Sequence, residues 1–341
     1  MNNNNILFSI KIGGPSQNHV ILSKAIDSIF SKTSTDNFQI LISYETNNLK
    51  MVSFIENLKS PKIIKNKVHN YSWYDWMIKS SQHAKNFDYL YLMHDDIFFL
   101  TQNFDEILNK KINKIEDIGI INLTDLLYED GYYKSQTRHG FYIDRIYDRS
   151  SEKGQFAEFK KQKRFWHRKN LKIKNMLFKL QLHEKKISKI ISSKFYFDKK
   201  KMLMPKGTIK THGGCNDLMI FKKDSLKIFD KICDFNIPYG LNSDEDTCLA
   251  SLKLGLKNIL INDIFYKSNY EFNFVTTRSF SMHSSDKVKC DEIFYKRWGF
   301  PLYSSTYSTE ENVMFLKKAE KLHGKNIVWT KDFNSSDYQY L

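Results

Sequence analysis

Two acidic clusters are the parts of this sequence whose residue types and spacing can do chemistry. The apolar run Tyr89 to Met93 ends in His94-Asp95-Asp96, with no basic residue beside the acidic pair. Adjacent carboxylates repel, and half-burying them is costly unless a cation joins them. A hard divalent ion held by oxygens, and shared with the phosphates of a ligand, offsets that cost. A bare Asp-Asp is most often a solvated turn. Its place at the carboxyl end of a buried strand favours the metal. The second cluster, Ser243-Asp244-Glu245-Asp246, opens a helical run that ends at Gly255. A carboxylate near a helix N-terminus is rigidly placed and can take a proton from a hydroxyl. Alone, such a cluster only caps the helix and complements its dipole.

The elements that must position these clusters follow from the pattern of apolar residues. Ile6 to Ile12 reads as a short buried strand stopped by Gly13-Gly14-Pro15. Apolar residues at Val20, Ile21, Ala25, Ile26, Ile29 and Phe30 have helical spacing over His19 to Ser31. Phe38 to Tyr44, Lys62 to Val68, Tyr89 to Met93 and Ile118 to Leu123 read as further strands. Helices over Leu49 to Leu58, Trp73 to Ala84 and Phe104 to Asn113 separate them. Strands alternating with helices imply crossovers and a mostly parallel sheet. Ligands in such sheets bind beyond the carboxyl ends of the strands, where Glu45 and the Asp95-Asp96 pair stand. After Gly213, Leu218 to Phe221 reads as a strand, Asp224 to Cys233 and Glu245 to Leu254 as helices, and Asn258 to Ile261 as a strand.

Between these halves lies a basic segment. The chain has a net charge of +15, and Ser151 to Lys210 holds 19 basic against 4 acidic residues. The remainder is balanced, so the basic partner is a local matter. Ile173, Leu177, Leu180, Ile187, Ile191 and Phe195 fall on one helical face among lysines, and a basic amphipathic helix suits an anionic membrane surface. The four cysteines form no C-x-x-C pair, which argues against a zinc knuckle and for reduced, buried thiols. No apolar run approaches the roughly 20 residues of a spanning helix. The start of the chain lacks a signal core, so a cytoplasmic protein is expected, peripheral to the inner face of the membrane.

The order strand, helix, strand, then Asp95-Asp96, resembles the nucleotide-sugar half of GT-A glycosyltransferases, especially the inverting family 2. The likeness covers about residues 6–123 and 212–300. It implies an α/β fold with a mixed, mainly parallel sheet flanked by helices, and a basic helical insertion. The implied divisions are 1–150 for the nucleotide-sugar half, 151–210 for the insertion, 211–300 for the acceptor and catalytic half, and 301–341 for a C-terminal tail. By the same likeness Ile12, Gly13, Glu45, His94 and Asp95 would bind the donor, and Asp96, with Asp95 and His283, would hold Mn²⁺ or Mg²⁺. His94 stands where an Asp is often found. Gly213 to Phe221 is similar to the family's small-residue strand beside the acceptor. Asp246 would be the base and Glu245 would hold an acceptor hydroxyl. Tyr295-Lys296-Arg297-Trp298-Gly299 is similar to a Lys-Trp-Gly tail of some relatives.

The expected activity is therefore metal-dependent transfer of a sugar from a nucleotide diphosphate, UDP first, to a hydroxyl of a glycan or lipid-linked acceptor. The product would be a cell-envelope glycan or glycolipid. Two other readings remain. One is a GT-A-type protein that binds without transferring. The other is a nucleic-acid binder using Lys161 to Lys201, where Phe165, Trp166 and Phe178 interleave with lysine and arginine. Balanced charge elsewhere argues against nucleic acid. Gly13-Gly14-Pro15 lacks the G-x-G-x-x-G pattern of a dinucleotide-binding turn.

Overall fold

Period-two burial builds the sheet. In β1 (Ile6–Gly13), Ile6, Phe8, Ile10 and Ile12 join one apolar cluster, and Leu7 joins a second on the opposite face. That second face of β1 also carries two buried polar residues, Ser9 and Lys11. The computed structural model describes residues 4–13, 18–69, 72–126, 133–134, 208–211, 218–232, 243–268, 292–299 and 309–324. Gly14-Pro15, most of the basic segment, Gly213 to Asp217, His283 and the cysteines other than Cys248 lie outside the described residues. Cys248 is a buried thiol.

After β1 come α1 (His19–Lys32), β2 (Phe38–Glu45), α2 (Leu49–Glu56), β3 (Ile63–Lys67) and α3 (Trp73–His83). They are followed by β4 (Tyr89–His94), β5 (Ile97–Phe99), α4 (Phe104–Ile112) and β6 (Ile118–Leu126). Each lies where the apolar periodicity predicts an element, apart from the three-residue β5. The sheet runs β3-β2-β1-β4-β9-β6-β10-β5, with β9 (Leu218–Lys222) and β10 (Lys257–Ser268) from the second half of the chain. Strands β3, β2, β1 and β4 are mutually parallel, and β6 is parallel to β10. Strand β9 lies antiparallel between β4 and β6. This is the mixed, mainly parallel α/β sheet expected from the sequence. The short β7 (Tyr133–Lys134) and β8 (Thr208–Thr211) pair with β6 and β10. Thr208 to Lys210, the end of the span read as a helical insertion, is thus strand, drawn into the ladder by its pairing with β10.

Helices α1, α2 and α4 cover one face through Leu22, Ile26, Met51, Ile55, Phe104 and Leu108. The other face is covered by α3, α5 (Lys227–Ile232) and α6 (Ser243–Lys253), through Trp76, Met77, Ile228, Phe229, Cys248 and Ala250. Residues 292–298 form α7, and α8 (Thr309–His323) lies in the span read as a tail. Among the described residues no helix is long and apolar enough to cross a membrane.

Helix α6 is seated by specific devices. Its C-terminus closes as a Schellman turn: Gly255 N–H donates to Leu252 O, Leu256 N–H donates to Ser251 O, and Gly255 has φ +76°. Ser251 Oγ donates to Asn258 Oδ1 at 2.6 Å, and Asn258 Nδ2 donates back to Cys248 O. Gly119 of β6 makes room for this contact, since a Cβ there would stand 1.9 Å from Ser251 Oγ.

Candidate functional site

Parallel pairing brings the donor-side candidates to one edge of the sheet. Gly13 of β1 is the register partner of Glu45 in β2, and Lys11 is the partner of His94 in β4. Ile12 is buried in the core between these pairs, and Glu45 is exposed. Asp95 and Asp96 occupy the turn between β4 and β5, half-buried. The antiparallel β9 begins at the same edge, because Leu218 pairs with Met93.

His94 and Lys11 both meet Trp73, the first residue of α3. The Trp73 and His94 rings lie 4.7 Å apart and 30° from coplanar, and Lys11 Nζ stands 4.6 Å from the centre of the indole. A cation over an indole face is attracted by the ring quadrupole. Helix α3 starts where it does because of a capping box. Ser72 Oγ accepts from Asp75 N–H, and Asp75 accepts from Ser72 N–H. The helix is tied to β1 from below by Trp76 Nε1, which donates to Ser9 Oγ at 2.9 Å. Ser9 Oγ also lies 2.7 Å from Ser80 Oγ.

The next residue, Tyr74, points to the second acidic cluster. Its hydroxyl donates to Asp246 Oδ2 at 2.5 Å. The same oxygen receives a hydrogen bond from the Arg297 guanidinium at 2.6 Å, and Oδ1 receives one from Trp298 Nε1 at 2.5 Å. Asp246 is 0% exposed, and the half-buried Arg297 completes an ion pair with it. Burial pushes the Asp246 carboxyl above its usual range, against the downward pull of Arg297, Trp298 and Tyr74. Burial, then the charge of Asp246, holds the Tyr74 phenol well above its ordinary value, so it stays a donor. Glu245 is buried beside Asp246 in the first turn of α6. Gly299 follows α7 in a left-handed conformation, φ +81°, which few residues other than glycine adopt.

The site candidates therefore stand in two groups joined by the first turn of α3. Ile12, Gly13, Glu45, His94, Asp95 and Asp96 share the carboxyl edge, while Glu245 and Asp246 open α6. Among the described residues, no group of three or more His, Cys, Asp and Glu side chains converges as a metal site. Asp95 and Asp96 still fit the needs of Mg²⁺ or Mn²⁺ in one respect. Such ions are commonly held by one or two carboxylates and complete their shell with water and substrate phosphates. Sequence reasoning missed Lys11, Trp73 and Tyr74. Lys11 left a signal, a lysine inside an apolar strand. The aromatic residues of α3 left none beyond a core pattern.

No protein-family model matches the chain, and no curated protein matches it. Solved structures do. A crystal structure of GalNAc-T7 with UDP, GalNAc and Mn²⁺ is similar over 78% of this chain, at 10% identity and a TM-score of 0.46. The chain spans less than half of that protein, 43%. The mannosyltransferase PcManGT from Pyrobaculum calidifontis, in complex with GDP-Man and Mn²⁺, is similar over 94% of this chain and 76% of its own, at 7% identity and a TM-score of 0.47. A197 from STIV is similar over 79% of this chain and 87% of its own, at 9% identity and a TM-score of 0.36. These likenesses concern the fold alone. The chain itself has alternating strands and helices, a mainly parallel sheet, and Asp95-Asp96 at the carboxyl end of β4.

Proposed function

We propose that this chain is a metal-dependent glycosyltransferase that moves a sugar from a nucleotide diphosphate, UDP by preference, to an acceptor hydroxyl with inversion. The observation that carries the reading is the hydrogen bond from Tyr74 to Asp246. It brings a carboxylate whose proton affinity is raised by burial to the same helix turn that lines the donor edge.

Ile12, Gly13 and Glu45 would hold the base and ribose at the ends of β1 and β2, with His94 and Asp95 at the end of β4. Asp96, with Asp95, would hold the divalent ion, and His283 would complete its shell. When bound, the ion would neutralise the leaving diphosphate as a Lewis acid. Asp246 would take the proton of the acceptor hydroxyl as its oxygen attacks the anomeric carbon. The bond from that carbon to the diphosphate oxygen breaks, and its electron pair leaves with the nucleotide. Glu245 would hold a second acceptor hydroxyl.

The acceptor is proposed to be a glycan or a lipid-linked glycan of the cell envelope. The lysines between residues 160 and 200 would meet anionic lipid at the inner face of the membrane, where each contributes about 1 kcal/mol. Liposome co-sedimentation tests this: recovery should require anionic lipid and fall with salt. Equal recovery with neutral vesicles would contradict it.

A second reading is favoured by the enclosure of Asp246, which suits a structural node in a protein that binds donor without transferring it. A thermal-shift series of nucleotide diphosphates with and without Mn²⁺ tests the shared part. A ligand that binds only the native state raises the melting temperature. UDP with Mn²⁺ should raise it, and no shift with any nucleotide would overturn both readings.

A further inference from the structure

We propose that Tyr74 is a positioning residue: it holds Asp246 by Oδ2 from α3, so that Oδ1 remains the oxygen that receives the acceptor proton. The inference rests on the reading of Asp246 as the base.

A carboxylate offers about four acceptor positions. Among the described residues, Oδ2 receives Tyr74 and Arg297, and Oδ1 receives Trp298. The open acceptor position is therefore on Oδ1. Because Asp246 is fully enclosed, an acceptor hydroxyl reaches that oxygen only if a neighbour yields. The donors differ in how they are anchored. Arg297 and Trp298 come from α7, which packs on α8 through the Trp298–His323 ring contact, Lys318 against Tyr295, and a 2.8 Å contact between His323 Nε2 and Arg297 O. Tyr74 comes from α3, which is fixed to β1 by the buried Trp76, Ser9 and Ser80 contacts and by the Ser72 capping box. Tyr74 thus ties Oδ2 of the carboxylate to the sheet-anchored α3. The phenol, held well above its ordinary value, remains a donor.

Among the described residues, the charged and titratable groups acting on Asp246 are Tyr74 from α3 and Arg297 from α7, and Glu245 on its own helix acts on Tyr74. Removing a hydrogen bond to the charged form raises a carboxyl's proton affinity. Tyr74→Phe keeps the ring and deletes only the donor.

The test uses the full chain labelled with [¹⁵N]tryptophan, which gives five indole signals. Trp298→Phe assigns the Trp298 signal, whose N–H donates to Asp246 and reports its charge. The account predicts that the midpoint of this signal's pH titration moves to higher pH in Tyr74→Phe, while the Trp73 and Trp76 signals stay in place. Arg297→Lys serves as a second variant and should also displace the Trp298 midpoint. An identical titration in the parent and Tyr74→Phe, including none in either, would overturn the role of Tyr74. Failure of the base reading is seen separately, as undiminished hydrolysis of UDP-glucose or transfer from it by Asp246→Asn.

Discussion

Tyr74 and Asp246 are 172 positions apart in the chain, and their side chains meet at 2.5 Å. Trp73, beside Tyr74, lies against His94. One turn of α3 thus touches the donor edge with one ring and the candidate base with the next. The two acidic clusters are joined through adjacent residues, so a change in that turn reaches both.

The ion pair between Asp246 and Arg297 makes a sharp stability prediction. Removing one partner of a buried pair leaves the other charge uncompensated, at a cost of about 3–5 kcal/mol. Arg297→Met, which leaves the enclosed Asp246 charge alone, should lower urea stability on that scale, and Asp246→Asn, which leaves the partly exposed Arg297, should lower it less. The double variant should recover much of the loss. Additive losses in the double-mutant cycle would mean the two side chains are not coupled.

Gly119→Ala should loosen α6 without touching the site. The added Cβ would meet Ser251 Oγ at 1.9 Å and Asn258 Oδ1 at 2.9 Å. Overpacking of this kind costs about 1–3 kcal/mol. Ser251→Ala in the same chain removes the nearest atom and should return part of the stability. Unfolding curves of Gly119→Ala that match the parent would contradict the tight seat of α6.

His323 supplies a pH prediction. Desolvation, and then the charge of Lys253, lowers its proton affinity below the ordinary 6.5, against its contact with Arg297 O. A histidine depressed in the folded state contributes stability that is present above 6.5 and lost as pH falls through the lowered value. The parent should therefore lose melting temperature faster than His323→Gln as pH drops from 7 to 5. Parallel curves for the two proteins would show that His323 titrates alike in both states.

Much of the fold was legible because burial leaves a period. β1, β2, β3, β4 and β6 are apolar runs of strand length, and α6 ends at the glycine that its Schellman turn requires. The Asp95-Asp96 pair was legible because it follows such a run. β8 was not, being four residues, Thr208 to Thr211, at the end of a lysine-rich stretch. The extension of β10 past Ile261 was hidden by a register shift before Phe265. The reversal of β9 between β4 and β6 depends on partners 99 to 133 residues away, which local periodicity does not encode. Tyr74 lies between two buried tryptophans, Trp73 and Trp76, so packing alone accounted for it. Arg297-Trp298 was visible only as a tail motif, and its contact with Asp246 required the fold.

The central claim is a divalent-ion and nucleotide-diphosphate site at the carboxyl edge of the sheet, with Asp96 as a ligand to the ion. Asp96 lies half-buried in the turn after β4. Asp96→Asn keeps its shape and removes the charge that a hard cation requires. Isothermal calorimetry of UDP with and without Mn²⁺, on the parent and on Asp96→Asn, tests the claim most directly. The account predicts Mn²⁺-dependent UDP binding in the parent, and loss of that dependence in a variant that melts near the parent temperature. Retained Mn²⁺ dependence in Asp96→Asn, or no UDP binding by the parent, would contradict it.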